Sequence, residues 1–145
     1  MQSRILIVLE LEETATSVAE SFKTSGYKVT LCKDFTAAKK ILDSKNIALI
    51  IADVHPENGG SVYDFIRYAK KNPSTQAIPF ILFSLQPTRL AKYLEDGVRT
   101  TARLLGCDMY LSMEYFDQEK FQMGIESFLP KSQDSSMNKN KEGNK

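Results

Sequence analysis

The sequence predicts a three-layer α/β domain, a doubly wound parallel sheet in which five strands alternate with five helices. Two observations carry this reading. Short apolar runs rich in Ile, Leu, Val, Phe and Tyr recur five times, and apolar residues at helical spacing fill the intervals between them. Strict strand–helix alternation calls for right-handed crossovers, which return the chain to the same end of the sheet and leave helices on both faces.

The first run, residues 4–9, is continuously apolar after Arg4, as expected of a central strand covered on both sides. Ala15, Val18, Ala19 and Phe22 then fall at i, i+3, i+4 and i+7, one stripe of a helix that Gly26 ends. Residues 27–31 alternate more and suit an edge strand. Phe35, Ala38, Ile41 and Leu42 stripe a second helix, opened by Asp34 as cap. Residues 47–53 are a second continuous run and so a second central strand. Val62, Phe65, Ile66 and Ala69 mark a third helix, with Ser61 and Asp64 spaced as a capping box. Residues 79–84 form the fourth strand. Leu90, Leu94, Val98, Ala102 and Leu105 read as one long fourth helix stopped by Gly106. Residues 108–112 form the fifth strand, and Phe121, Ile125, Phe128 and Leu129, behind Asp117 as cap, the fifth helix.

Length and composition bound the function. A chain of 145 residues makes one ordinary domain, and 42% hydrophobic with 26% charged residues excludes a wholly disordered, collagen-like or coiled-coil chain. The 19 basic and 18 acidic residues nearly cancel, which argues against a surface built for nucleic acid or membrane. Residues 131–145 hold four lysines, two acids and Met137 as the single large apolar residue. They are expected to be a disordered polar tail following a near-neutral domain over residues 1–130. Two cysteines and one histidine exclude a disulfide scaffold and a zinc cluster, so Cys32 and Cys107 read as buried fillers. Glu10, Glu12 and Glu13 interrupt the N-terminal apolar run, which is neither a signal core nor a membrane span, and a cytoplasmic location is expected.

In a sheet of this kind the groups able to do chemistry gather beyond the carboxyl ends of the central strands. Here those ends carry Glu10, Glu12 and Glu13 after the first strand, Asp53 and His55 after the third, Ser84 after the fourth, and Ser112, Met113 and Glu114 after the fifth. No GxGxxG or GxxxxGK[ST] occurs, and an acidic first loop repels phosphate, which disfavours nucleotides and flavins. Carboxylates favour a hard cation such as Mg2+.

Ile5-Leu6-Ile7-Val8 followed by acids, Ile50-Ile51-Ala52-Asp53 followed by Pro56 and Gly60, Pro79 through Ser84, and Leu105-Gly106-Cys107-Asp108-Met109-Tyr110-Leu111 together resemble the receiver domain of two-component response regulators. The likeness runs over about residues 3–129. It implies the flavodoxin-like strand order 2-1-3-4-5. It further implies that Asp53 is the position that accepts a phosphoryl group from a histidine kinase, that Ser84 and Tyr110 are switch residues, and that output passes through the fourth helix, fifth strand and fifth helix.

The departures from that pattern bear on function. The family places two adjacent acids after the first strand to hold Mg2+, and the alignment puts Leu9 and Glu10 there. It places a lysine three residues after the fifth-strand aromatic, where this chain has Met113 followed by Glu114. The segment from Asp53 to Pro56 is one residue short, which puts His55 where a backbone carbonyl completes the metal site. Phosphoryl transfer depends on positioned charge, and losing one stabilising group costs about 10²–10³ in rate.

The first expectation is therefore a non-enzymatic, stand-alone atypical receiver that acts in signal transduction by protein contact. Phosphorylation on Asp53 is impaired and Mg2+ binding weak or absent. The partner is another protein, a histidine kinase or a downstream effector, and the charged fourth-helix segment with Lys92, Arg99 and Arg103 is the candidate surface. A second expectation is a working phosphorelay receiver, with Mg2+ held by Glu10, Asp53 and His55. A third is a pseudo-receiver that senses a small ligand in the crevice.

Overall fold

The computed structural model describes residues 3–9, 11–54, 61–85 and 89–129. The expectations placed on Glu10, His55 and the tail at 131–145 lie outside these residues. The element order is β1 (Arg4–Val8), α1 (Glu12–Thr24), β2 (Lys28–Cys32), α2 (Phe35–Ser44), β3 (Leu49–Asp53), α3 (Val62–Lys71), β4 (Phe80–Leu85), α4 (Arg89–Tyr93), α5 (Glu95–Leu104), β5 (Met109–Met113) and α6 (Gln118–Ile125), closed by a 3-10 turn at Glu126–Phe128. All strand pairs are parallel and the order is β2-β1-β3-β4-β5. The doubly wound sheet expected from the sequence is the one observed.

Period-two alternation along the buried strands divides the core into two layers. Leu6, Val8, Ile50, Ala52, Phe80 and Leu82 pack on α2, α3 and α5. Ile5, Ile7, Leu49, Ile51, Ile81 and Phe83 pack on α1 and α6. On the first face Phe65 stacks on Phe35 with ring centroids 4.9 Å apart and meets Phe80 edge-on at 5.5 Å. On the second, Phe121 contacts Phe22, Phe83 and Phe116. β1 and β3 are fully covered and β2 is an edge, as their residue patterns predict.

Local signals mostly act as read. The Asp34 carboxylate accepts from the Ala37 N–H at 2.8 Å, Asp117 from Lys120 N–H at 3.1 Å, and the Ser61 hydroxyl from Tyr63 N–H at 3.1 Å. Gly26 and Gly106 adopt φ of +93° and +108°, the left-handed region that lets a helix end turn sharply. A Cβ at Gly106 would stand 2.9 Å from Lys70 Cγ, so this position needs glycine on two counts.

Three sequence expectations are corrected. The capping box at Ser61 is half formed, because Asp64 pairs with Arg67 at 2.8 Å. The single long fourth helix is two: the chain leaves helical geometry at Leu94, which is exposed, and restarts with Glu95 and Asp96 in the first turn of α5, where acids suit the helix dipole. The fifth helix ends at Ile125; Phe128 closes the 3-10 turn and Leu129 follows it. Among the described residues no helix is long and apolar enough to cross a membrane.

Candidate functional site

Asp53 is the last residue of β3, partly buried at the carboxyl end of the central strand. By strand alternation its side chain leaves on the α1/α6 side, following Leu49 and Ile51. The crevice it meets there is lined by Leu9, Leu11, Thr14, Asp53, Phe83 and Leu85 and encloses about 20 Å3. That is room for about one water molecule.

Leu9 is held here by its position one residue after β1, where its N–H donates to the Cys32 carbonyl at 3.2 Å and its side chain joins the apolar core. β4 brings Phe83 opposite Asp53, and Leu85 two residues further on lies opposite Met113 of β5. Met113 and Leu85 pack against the same apolar layer as Leu9. The leucine and methionine that replace the expected charges therefore lie on the same side of the sheet as Asp53. Leu11, Thr14 and Leu85 are crevice residues that sequence reasoning did not single out; the signal available was that each lies within a few residues of a central strand end. Glu12 and Glu13 stay in the first turn of α1 and do not line the crevice.

A hard cation takes about six oxygen ligands. Among the described residues the crevice offers side-chain oxygen from Asp53 and Thr14 alone, and no group of three His, Cys, Asp or Glu is placed to hold a metal. The described residues thus do not fit a magnesium site.

The switch candidates lie on the opposite face. Ser84 is buried and follows Leu82 on the α3/α5 side, where Tyr110 also packs. Tyr110 donates its hydroxyl proton to the Glu95 carboxylate at 3.3 Å, and the Arg99 guanidinium lies over its ring at 4.9 Å. Burial and the Glu95 charge push the phenol above its ordinary range, opposed by the neighbouring Ser84 hydroxyl and by Arg99. Glu114, one residue beyond Met113, forms an ion pair with Lys92 of α4. The structure thus brings Ser84 and Tyr110 together and joins them to α5.

The cysteines behave as fillers. Burial, aided by the Asp34 charge, pushes the Cys32 thiol up to about 12, and burial raises Cys107 as well.

No protein-family model and no curated protein matches this sequence. Solved structures do. The chain is similar to the chemotaxis response regulator CheY4 of Vibrio cholerae, with TM-score 0.74 and 16% identity over 89% of this chain and 100% of that one. It is similar to the signal receiver domain of a histidine kinase from Syntrophus aciditrophicus, with TM-score 0.71 and 20% identity over 97% and 96% of the two chains. It is also similar to the receiver domain of a sensor histidine kinase from Pseudomonas aeruginosa PAO1, solved with magnesium in its active-site cleft, with TM-score 0.71 and 20% identity over 88% and 98%. The chain has the fold of CheY-like response regulator receiver domains.

Proposed function

We propose that this chain is a receiver-type module of signal transduction that works by contact with another protein and not by catalysis, with phosphorylation on Asp53 impaired. The observation that carries the reading is the crevice at Asp53. Its described walls are Leu9, Leu11, Thr14, Phe83 and Leu85, and its volume is about 20 Å3. A transferring phosphoryl group needs positioned cations and room for its oxygens. The described walls supply apolar carbon and the Thr14 hydroxyl but no cation, and an unpaired phosphate charge there is costly. In keeping with this, Mg2+ binding is weak or absent.

A second reading, phosphorelay through Asp53, is favoured by one observation: the aspartate stands at the end of β3 in a fold shared with a receiver domain that holds magnesium. Intact-mass measurement after incubation with acetyl phosphate and Mg2+ separates the two. The first reading expects no phosphoryl-sized mass gain. A rapid gain that is absent from Asp53→Asn overturns it.

A further inference from the structure

We propose that two copies of this chain pair through β2, antiparallel about a two-fold axis at Thr30, so that their sheets join into one. β2 is an edge of the sheet and pairs with β1 alone. Its bonds to β1 fix which residues face out. Lys28 N–H donates to the Ser3 carbonyl, and the Cys32 carbonyl accepts from Leu9 N–H, so Lys28, Thr30 and Cys32 turn their main chain inward. Val29 and Leu31, between them, turn theirs outward, with no backbone partner on that side among the described residues. Leu31 adds an apolar side chain that is 44% exposed. The edge is open to strand addition.

Charge and register select a second copy as the occupant. Register sets Lys28 beside Arg4, both on the α2 side of the sheet by alternation with Leu6. Arg4 donates to the Thr30 hydroxyl at 2.8 Å, and neither cation has an ion pair among the described residues. Like charges side by side in a sheet are unfavourable. A lysine often blunts an edge, but Lys28 stands at the first position and leaves Val29 to Cys32 unguarded. The acid that answers it lies just past the other end of the strand. Asp34 is still extended, with φ −141° and ψ 167°, and commits one carboxylate oxygen to the Ala37 N–H. In an antiparallel pair of edges, outward residues must face outward residues, which allows an axis at Val29, Thr30 or Leu31. An axis at Val29 sets Lys28 of the two copies on a diagonal. An axis at Leu31 puts Val29 opposite Lys33, beyond the end of β2. An axis at Thr30 pairs all five residues: Val29 and Leu31 of one copy face Leu31 and Val29 of the other and exchange main-chain bonds. Lys28 then lies opposite Cys32 of the second copy and reaches its Asp34 on the diagonal, and symmetry forms this pair twice.

The test is sedimentation velocity on the full chain from micromolar to millimolar concentration, where a reversible monomer–dimer equilibrium is expected. Leu31→Pro removes an outward N–H and no bond to β1. It is expected to stay monomeric with the circular dichroism of the parent chain, and Leu31→Lys, which keeps the main chain, to dimerise far more weakly. Asp34→Asn keeps the helix cap and removes the charge. It is expected to weaken the dimer about fivefold, since two exposed ion pairs are lost, and to change nothing further in a Lys28→Gln background. On oxidation Thr30→Cys with Cys32→Ala is expected to cross-link two copies at the axis. Thr24→Cys with Cys32→Ala, exposed at the end of α1, is expected not to. A chain that stays monomeric, a dimer that survives both Leu31 variants, full affinity in Asp34→Asn, or equal cross-linking at Thr30 and Thr24 overturns the proposal. So does a dimer that on dilution of nitrogen-15-labelled protein shifts the β5 amides and leaves Val29 and Leu31 unchanged.

Discussion

Glu114 forms an ion pair with Lys92, so the position after Met113 holds an acid that has drawn a cation from α4 to the end of β5. The family resemblance calls for a lysine at Met113 that pairs with phosphoryl oxygens; here the lysine approaching the strand end is committed to a neighbouring carboxylate. Both side chains are more than half exposed. The pair orients α4 against β5 more than it stabilises the fold. Lys92→Ala and Glu114→Ala are expected to leave the urea midpoint nearly unchanged in high salt. A double-mutant cycle with a large coupling there would show a buried interaction instead.

Restoring the charges should restore chemistry. The combined change Leu9→Asp, Leu85→Ala and Met113→Lys puts an acid and a cation back beside Asp53 and opens the crevice that Leu85 narrows. Each recovered group is worth about 10²–10³ in rate. A magnesium-dependent phosphoryl adduct is expected by intact mass from acetyl phosphate in this variant and not in the same variant carrying Asp53→Asn.

The Cys32 thiol, pushed up to about 12 by burial, gives an alkaline signature. In the unfolded chain it loses its proton near the ordinary thiol value of 9.0, while the folded protein retains it. Between those values the unfolded state binds fewer protons, so stability falls as pH rises. Urea midpoints should decline from pH 9 toward pH 12, and Cys32→Ala should flatten the decline. The native thiol should also react with iodoacetamide far more slowly than the same thiol in urea.

Phe65 is fully buried between Phe35 at 4.9 Å and Phe80 at 5.5 Å. Phe65→Ala is expected to cost about 3–5 kcal/mol by chemical denaturation, from lost burial and the cavity left behind. A cost below 1 kcal/mol would mean that α3 collapses into the space.

Asp34 accepts the Ala37 N–H at 2.8 Å at the start of α2. Asp34→Ala is expected to destabilise by about 1 kcal/mol, and Asp34→Asn by less, since the amide oxygen still caps. Equal losses for both would assign the effect to charge.

The strands were legible because each is a short apolar run between punctuating residues, and Asp53 because a lone acid ends the longest of them. The break at Leu94 was not legible, since residues 90 to 105 keep an apolar spacing that one straight helix would satisfy. What splits it is tertiary: Leu94 has no core to enter, Lys92 is drawn to Glu114, and Tyr110 holds Glu95. Likewise Ser61 and Asp64 have capping-box spacing, but Arg67 takes the acid.

By itself the sequence determined the doubly wound sheet, its central and edge strands and the helix caps, because periodicity and residue chemistry are local properties. Only the tertiary structure decided which of these residues meet. It set Leu11, Thr14 and Leu85 around Asp53 and sent Ser84 and Tyr110 to the other face. Strand register and alternation bring together residues far apart in the chain, and no spacing in the sequence encodes that distance.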